Sequence, residues 1–188
     1  MKKMLLIIDP QYDFIEGGNL GVKGGTHALD VVNDHLLKHG EEYTFIALTS
    51  DWHPYNHCSF NGYGGVWNRH CVAHTQGASI YQPLLESLWT LKLPHGIFCK
   101  GMKQDTWEYS VMDNDISSEQ LISIIEKNEI DEIVVCGLAL DYCVVDSIKG
   151  LIGAVPSIKV LLDGTSAITE DGKEGTLKFF KDNNIEVI

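Results

Sequence analysis

Positive charge is scarce in this chain of 188 residues: Lys plus Arg number 14 against 26 Asp plus Glu, for a formal net charge of −12. A chain this acidic repels phosphate backbones, which argues against nucleic acid and anionic membrane surfaces as partners. Long apolar runs are also missing, since none approaches the roughly 20 residues that a bilayer-crossing helix needs. Lys2 and Lys3 ahead of Met4–Ile8 imitate the start of a signal peptide. The apolar stretch is too short, however, and meets Asp9 and Pro10 where a small-residue cleavage site should follow. Cysteine offers no disulfide framework: the five residues Cys58, Cys71, Cys99, Cys136 and Cys143 are odd in number and form no CxxC pair. Free thiols in a reducing, cytoplasmic setting are the expectation.

Repeats, low-complexity tracts and linkers are absent, so one domain over residues 1–188 is expected. Apolar types at 44% and charged types at 21% suffice for a packed core. Short apolar runs at Met4–Ile8, Thr44–Thr49, Gly96–Cys99, Glu132–Cys136, Ile158–Leu162 and Ile185–Ile188 read as strands. Several are continuous rather than alternating, which suits a parallel sheet covered on both faces. Helical patterns lie between them at Thr26–His39 (stopped by Gly40), Gln82–Leu91, Ser117–Lys127, Asp141–Gly153 and Asp171–Asn183. Ser117 and Gln120 are spaced as a capping box. The order predicts an α/β fold: a three-layer α-β-α sandwich with a mainly parallel, doubly wound central sheet. Ligands of such folds bind beyond the carboxyl ends of the strands. Those ends carry Asp9, then Asp51 and His53, then Lys100, then Gly137–Cys143. The long irregular stretch Trp52–Gln82 is of the kind that is usually functional.

Three groups of residues carry chemistry. Asp51, His53, His57 and His70 are one carboxylate and three imidazoles in and around one loop, a donor set suited to zinc, iron or manganese. A lone histidine is commonly a satisfied core residue; four ligand types gathered in one loop argue for a metal. His74 competes for the last position. Cys143 follows the fourth strand at the start of a helix, where the dipole should lower the thiol pKa from its reference of about 8.5 and favour the thiolate. Position alone also fits a buried apolar residue. Asp9 and Lys100 each have a plain reading as strand-end residues, but together near Cys143 they supply a proton acceptor and a cation for a thiol nucleophile.

In this order the pieces resemble the nicotinamidase branch of the isochorismatase-like cysteine hydrolase family. The matching segments are Ile7–Phe14, Asp51-Trp52-His53-Pro54 with His57, Trp67 with His70-Cys71-Val72, Lys100-Gly101 and Gly137–Val144. The Asp–Lys–Cys order belongs to the whole superfamily, whereas Asp-x-His with two further histidines points to nicotinamidases. The resemblance implies Cys143 as nucleophile, Asp9 as general base and Lys100 as their electrostatic partner. It implies one divalent metal, zinc first with iron or manganese as alternatives, on Asp51, His53, His57 and His70. It makes Phe14 and Trp67 the walls of the ring pocket, with Ala139 also lining it. The oxyanion hole falls on the Ala139 and Cys143 N–H groups, with a cis peptide at Leu138–Ala139. The implied reaction is hydrolysis of nicotinamide to nicotinate and ammonia in NAD salvage. The analogue pyrazinamide is a further implied substrate, and relatives often self-associate. Trp107, in Thr106-Trp107-Glu108-Tyr109-Ser110, departs from the smaller residue that relatives often carry near the pocket. Two rivals stand beside this reading: a carbamoyl- or ureido-directed amidohydrolase of the same family, and an idle metal-binding or sensing domain. A normal, high pKa at Cys143 would favour the idle domain.

Overall fold

The computed structural model describes residues 1–188. Six parallel strands form one sheet: β1 (Lys3–Ile8), β2 (Phe45–Asp51), β3 (His95–Lys100), β4 (Glu132–Leu138), β5 (Ser157–Ser166) and β6 (Glu186–Val187). Their spatial order is β3-β2-β1-β4-β5-β6. Five helices connect them: α1 (Gly25–His39), α2 (Gln82–Leu91), α3 (Asp115–Asn128), α4 (Val145–Leu151) and α5 (Glu170–Asp182). None is long and apolar enough to cross a membrane.

The continuous apolar runs serve two cores at once, because successive side chains of a strand point to opposite faces. Met4, Leu6 and Ile8 join Ile133 and Val135 against Leu121 of α3, Ile148 of α4 and Phe180 of α5. Leu5 and Ile7 join Val134 and Cys136 against Val32 and Leu36 of α1 and Leu84 and Leu88 of α2. The layers are therefore α1 and α2, the sheet, then α3, α4 and α5.

The strand order reverses between β1 and β4, and in doubly wound sheets the ligand crevice opens beyond the carboxyl ends at that reversal. Ile8 pairs with Gly137 there, so Asp9 and the turn after β4 emerge side by side. Gly137 is required for this closeness: its φ is +103°, and a Cβ would lie 2.1 Å from the Ile8 carbonyl oxygen. One strand over, Asp51 is the register partner of Lys100.

Local details differ from the sequence expectation. Helix α3 starts at Asp115, and its cap is Asn114, whose side chain accepts from Ser117 N–H. Ser117 does not cap; its hydroxyl donates to the Cys99 carbonyl at 2.6 Å. The helix after β4 opens as a wide π turn over Leu140–Val144 before α4 begins, and it ends at Leu151. Gly40 keeps a right-handed helical conformation and leads into a 3₁₀ turn, so it is not a left-handed cap. Strand β5 runs on to Ser166, past a register shift opposite Val135 and Gly137.

Candidate active site

The strand ends bring Asp9, Asp51, Lys100 and Cys143 together, each of them buried. Lys100 Nζ lies 2.8 Å from Asp9 Oδ2, 2.5 Å from Asp51 Oδ1 and 3.5 Å from Cys143 Sγ. Asp9, in a left-handed conformation just past β1, accepts at Oδ1 from the Thr49 hydroxyl at 2.6 Å. Its Oδ2 receives no aligned hydrogen bond despite the nearby ammonium. One carboxylate oxygen each of Asp9 and Asp51 and the Cys143 sulfur lie within 4.8 Å of one another. Asp51 is held at its backbone by Gln11, whose side chain accepts from Asp51 N–H and donates to Asp51 C=O, both at 2.8 Å.

Two carboxylates sharing one cation are driven apart in pKa. Burial opposes the Asp51 charge, but Lys100 and then His53 hold its pKa well below the carboxylate range. At Asp9, burial dominates and the Asp51 charge adds to it, so its pKa rises despite Lys100. Burial also works against the Lys100 charge, yet Asp51 and Asp9 keep it firmly protonated. Burial pushes the Cys143 thiol well up; Lys100 opposes this, and the two carboxylates reinforce it. The lowered thiol pKa expected from the helix start is thus corrected: a buried sulfur beside two acids rests as the thiol. By itself the raised pKa falls on the side of the idle domain; the thiol-nucleophile reading rests instead on geometry, with Lys100 Nζ 3.5 Å from the sulfur and an Asp9 carboxylate oxygen within 4.8 Å of it.

The other edge of Asp51 faces the histidines. His53 Nε2 is 3.4 Å and His70 Nε2 3.7 Å from Asp51 Oδ2. The loop reaches this shape because His53 and residues 71–73 pair as a short bridge, through His53 N–H to Cys71 C=O and Ala73 N–H to His53 C=O. His53 Nδ1 donates to the Gly101 carbonyl at 2.9 Å and His70 Nδ1 to the Asn68 carbonyl at 2.7 Å. Such carbonyl partners fix the tautomer and leave each Nε2 as a free donor toward a metal. Asp51, His53 and His70 offer donor atoms within 4.8 Å of one another, so the residues present fit a divalent ion. His57 is not brought into this group. Its ring stacks on His53 with centroids 4.2 Å apart, Nδ1 pairs with Ser59, and Nε2 donates to the Thr106 carbonyl at 3.0 Å. His74 stands apart, edge-on to Trp52.

Cys143, Ala139, Phe14 and Trp67 all line one cavity of about 490 Å³, counted to its open mouth, together with Asp51, His53 and His70. Phe14 packs on His70 at 5.4 Å. Trp67 stands edge-on to Tyr142 at 5.0 Å and donates its ring N–H to the Tyr109 hydroxyl at 3.0 Å. The Leu138–Ala139 peptide is cis. The Ala139 carbonyl accepts from Tyr142 and Val144 N–H, while its own N–H donates no hydrogen bond within the chain. Residues 3–188 match the isochorismatase domain. The chain belongs to the isochorismatase domain family.

This isochorismatase-domain chain is 31% identical over 200 residues to the Nicotinamidase of Escherichia coli, covering 95% of this chain and 90% of that protein. It is 29% identical over 192 residues to the Nicotinamidase/pyrazinamidase of Mycobacterium tuberculosis, covering 99% and 98%. Among solved structures it is similar to PnC1 from L. infantum in complex with nicotinate, with TM-score 0.88, 31% identity and coverage of 100% and 92%. The Pyrazinamidase of Pyrococcus horikoshii in complex with zinc aligns at TM-score 0.86 with 30% identity, covering 100% and 99%.

Several residues of this isochorismatase-domain site were not singled out from the sequence. Thr49 and Gln11 are legible afterwards as polar side chains set against apolar runs at the strand ends. Glu108 and Tyr109 lie in the segment marked for Trp107, which itself lines the cavity while 43% exposed. Leu20 and Ile168 come to the cavity from distant loops and carry no local signal.

Proposed function

We propose that this isochorismatase-domain chain acts as a nicotinamidase, hydrolysing nicotinamide to nicotinate and ammonia through a thioester on Cys143, in NAD salvage. The observation that carries this reading is the place of Cys143: 3.5 Å from Lys100 Nζ, beside Asp9, on the wall of an aromatic cavity that also holds Asp51, His53 and His70. The nicotinamidases among its relatives supply the substrate class, and the nicotinate bound in the L. infantum protein is the product expected here. Pyrazinamide, with a ring of the same size and the same carboxamide, is expected as a second substrate.

The ring enters between Phe14 and Trp67, and the carboxamide carbon is set over Cys143 Sγ. A divalent ion on Asp51, His53 and His70, with zinc first, would supply a Lewis-acid anchor for the pyridine nitrogen and so orient the ring. Asp9 Oδ2 takes the thiol proton, and Lys100 stabilises the charges that result. The thiolate forms the S–C bond, and the carbonyl oxygen, now negative, is held by the Ala139 and Cys143 N–H groups. Collapse breaks the C–N bond as protonated Asp9 gives its proton to the leaving nitrogen, releasing ammonia. Water then loses a proton to Asp9 and attacks the thioester, the C–S bond breaks as Asp9 returns that proton to the Cys143 sulfur, and nicotinate leaves with its acid proton passing to solvent. The split between a depressed Asp51 and a raised Asp9 suits these roles, since the ionised acid holds cations and the other carries the proton. The mechanism needs one chain and a reduced thiol, which fits a cytoplasmic enzyme.

Asp9→Asn removes the proton acceptor and little volume. Its kcat for nicotinamide is expected to fall by about 10²–10⁴-fold, the usual weight of a general base, with circular dichroism and melting temperature close to wild type. Near-normal turnover by a folded Asp9→Asn enzyme would remove Asp9 from the base role.

A further inference from the structure

Glu108 is a buried acid that the proposed reaction leaves unused. Its hydrogen-bond partners are all neutral: it accepts from Gly101 N–H at 2.6 Å and from the Asn114 amide at 3.0 and 3.3 Å. Gly101 is the residue whose carbonyl accepts from His53 Nδ1 at 2.9 Å. One glycine is therefore held at its N–H by a carboxylate and at its C=O by an imidazole of the candidate metal group. The fit against the ring is close. Gly101 has φ +67°, and a Cβ there would sit 2.3 Å from His53 Cε1 and 2.4 Å from Nδ1.

The place explains why such a brace is needed. Gly101 lies just past the end of β3, an edge strand with a neighbour on one side only, so no ladder holds it from outside. Two ties run instead to the start of α3. Ser117 Oγ donates to the Cys99 carbonyl, and Asn114, which caps α3 through its Oδ1, gives its amide to Glu108.

We infer that Glu108 is a positioning residue of the metal group: through Gly101 it sets the His53 ring, and hence the direction of its Nε2. This inference rests on the reading of Asp51, His53 and His70 as metal ligands. Partners of this kind, one bond removed from a ligand, typically change metal affinity by about 10–100-fold when lost.

The test is zinc affinity of the full-length protein, stripped of metal and titrated against a chromogenic chelator, without any activity assay. Glu108→Ala and the space-filling Glu108→Met both lack the acceptor and are expected to bind zinc about 10–100-fold more weakly than wild type. Glu108→Gln keeps an acceptor for Gly101 N–H and is expected to recover most of that loss, which a merely structural role would not require. Far-UV circular dichroism of the metal-free proteins selects the variants that fold, and the Met variant stands in if the Ala variant does not. Affinities equal to wild type in a folded Ala or Met variant overturn the inference while the metal reading survives. A Gln variant as weak as Ala also overturns it. A wild type that binds no zinc overturns the metal reading and this inference with it.

Discussion

Asp51 is the residue on which the two halves of the site meet. One of its oxygens faces the Lys100 ammonium and the other faces His53 and His70, so the charged cluster and the candidate metal group share a carboxylate. That sharing explains why Asp9, not Asp51, is left with the raised pKa and the unsatisfied oxygen. It also bears on the histidines. Sequence spacing and resemblance put His53, His57 and His70 on equal footing, but the structure commits both nitrogens of His57 to Ser59 and Thr106. We therefore expect His53→Ala and His70→Ala to lose bound zinc, while His57→Ala keeps a larger share, as measured by metal content after dialysis. Equal losses in all three variants would show that His57 swings in when the ion binds. That Asp9, Lys100 and Cys143 meet at one edge was legible because polar side chains at strand ends stand out against apolar runs, while their roles come from the family resemblance. The protonation of Cys143 was not, because desolvation depends on what closes over the sulfur, and that comes from distant segments.

At the scale of elements, helix starts show what local sequence can and cannot say. Ser117 and Gln120 have capping spacing, yet Asn114 caps α3, and Ser117 is drawn away to brace β3. The cap of α1 comes from farther still. Gly24 cannot cap with a side chain, so the Glu16 carboxylate accepts from Gly24 N–H, from Thr26 N–H at 2.8 Å and from the Thr26 hydroxyl. These bonds, the Thr26 hydroxyl first, lower the Glu16 pKa from 4.5 to about 2. A folded pKa below the unfolded one means that the stabilisation is present above about pH 4.5 and is lost as pH falls toward 2. Glu16→Gln is accordingly expected to lower the melting temperature by a few degrees at neutral pH. The gap to wild type should close as the solution is acidified through that window. Solvent screening of this exposed carboxylate keeps the effect small. A gap that persisted unchanged at the acid end would contradict the capping account. The existence of all five helices was readable from apolar spacing; the π turn that presents Cys143 was not, since a five-residue wide turn has no periodicity of its own.

For the whole molecule, the decisive feature is the reversal of strand order between β1 and β4. It places Asp9 and the Cys143 turn as neighbours, with Asp51 and Lys100 next to them across β2 and β3. A parallel sheet was legible because Leu5–Ile8 and Ile133–Cys136 are apolar on both faces, as burial between two helix layers demands. The order of the strands was not, nor the His53–Val72 bridge that folds the long loop back on itself, because both depend on pairings remote in sequence. The most direct test of the whole account is ammonia release from nicotinamide by wild type and Cys143→Ala, each with and without a chelator. The account predicts release by wild type, loss of release with Cys143→Ala, and a fall on chelation that added zinc restores. Absence of release from a folded, zinc-loaded wild type would contradict it, as would release that survives the loss of Cys143.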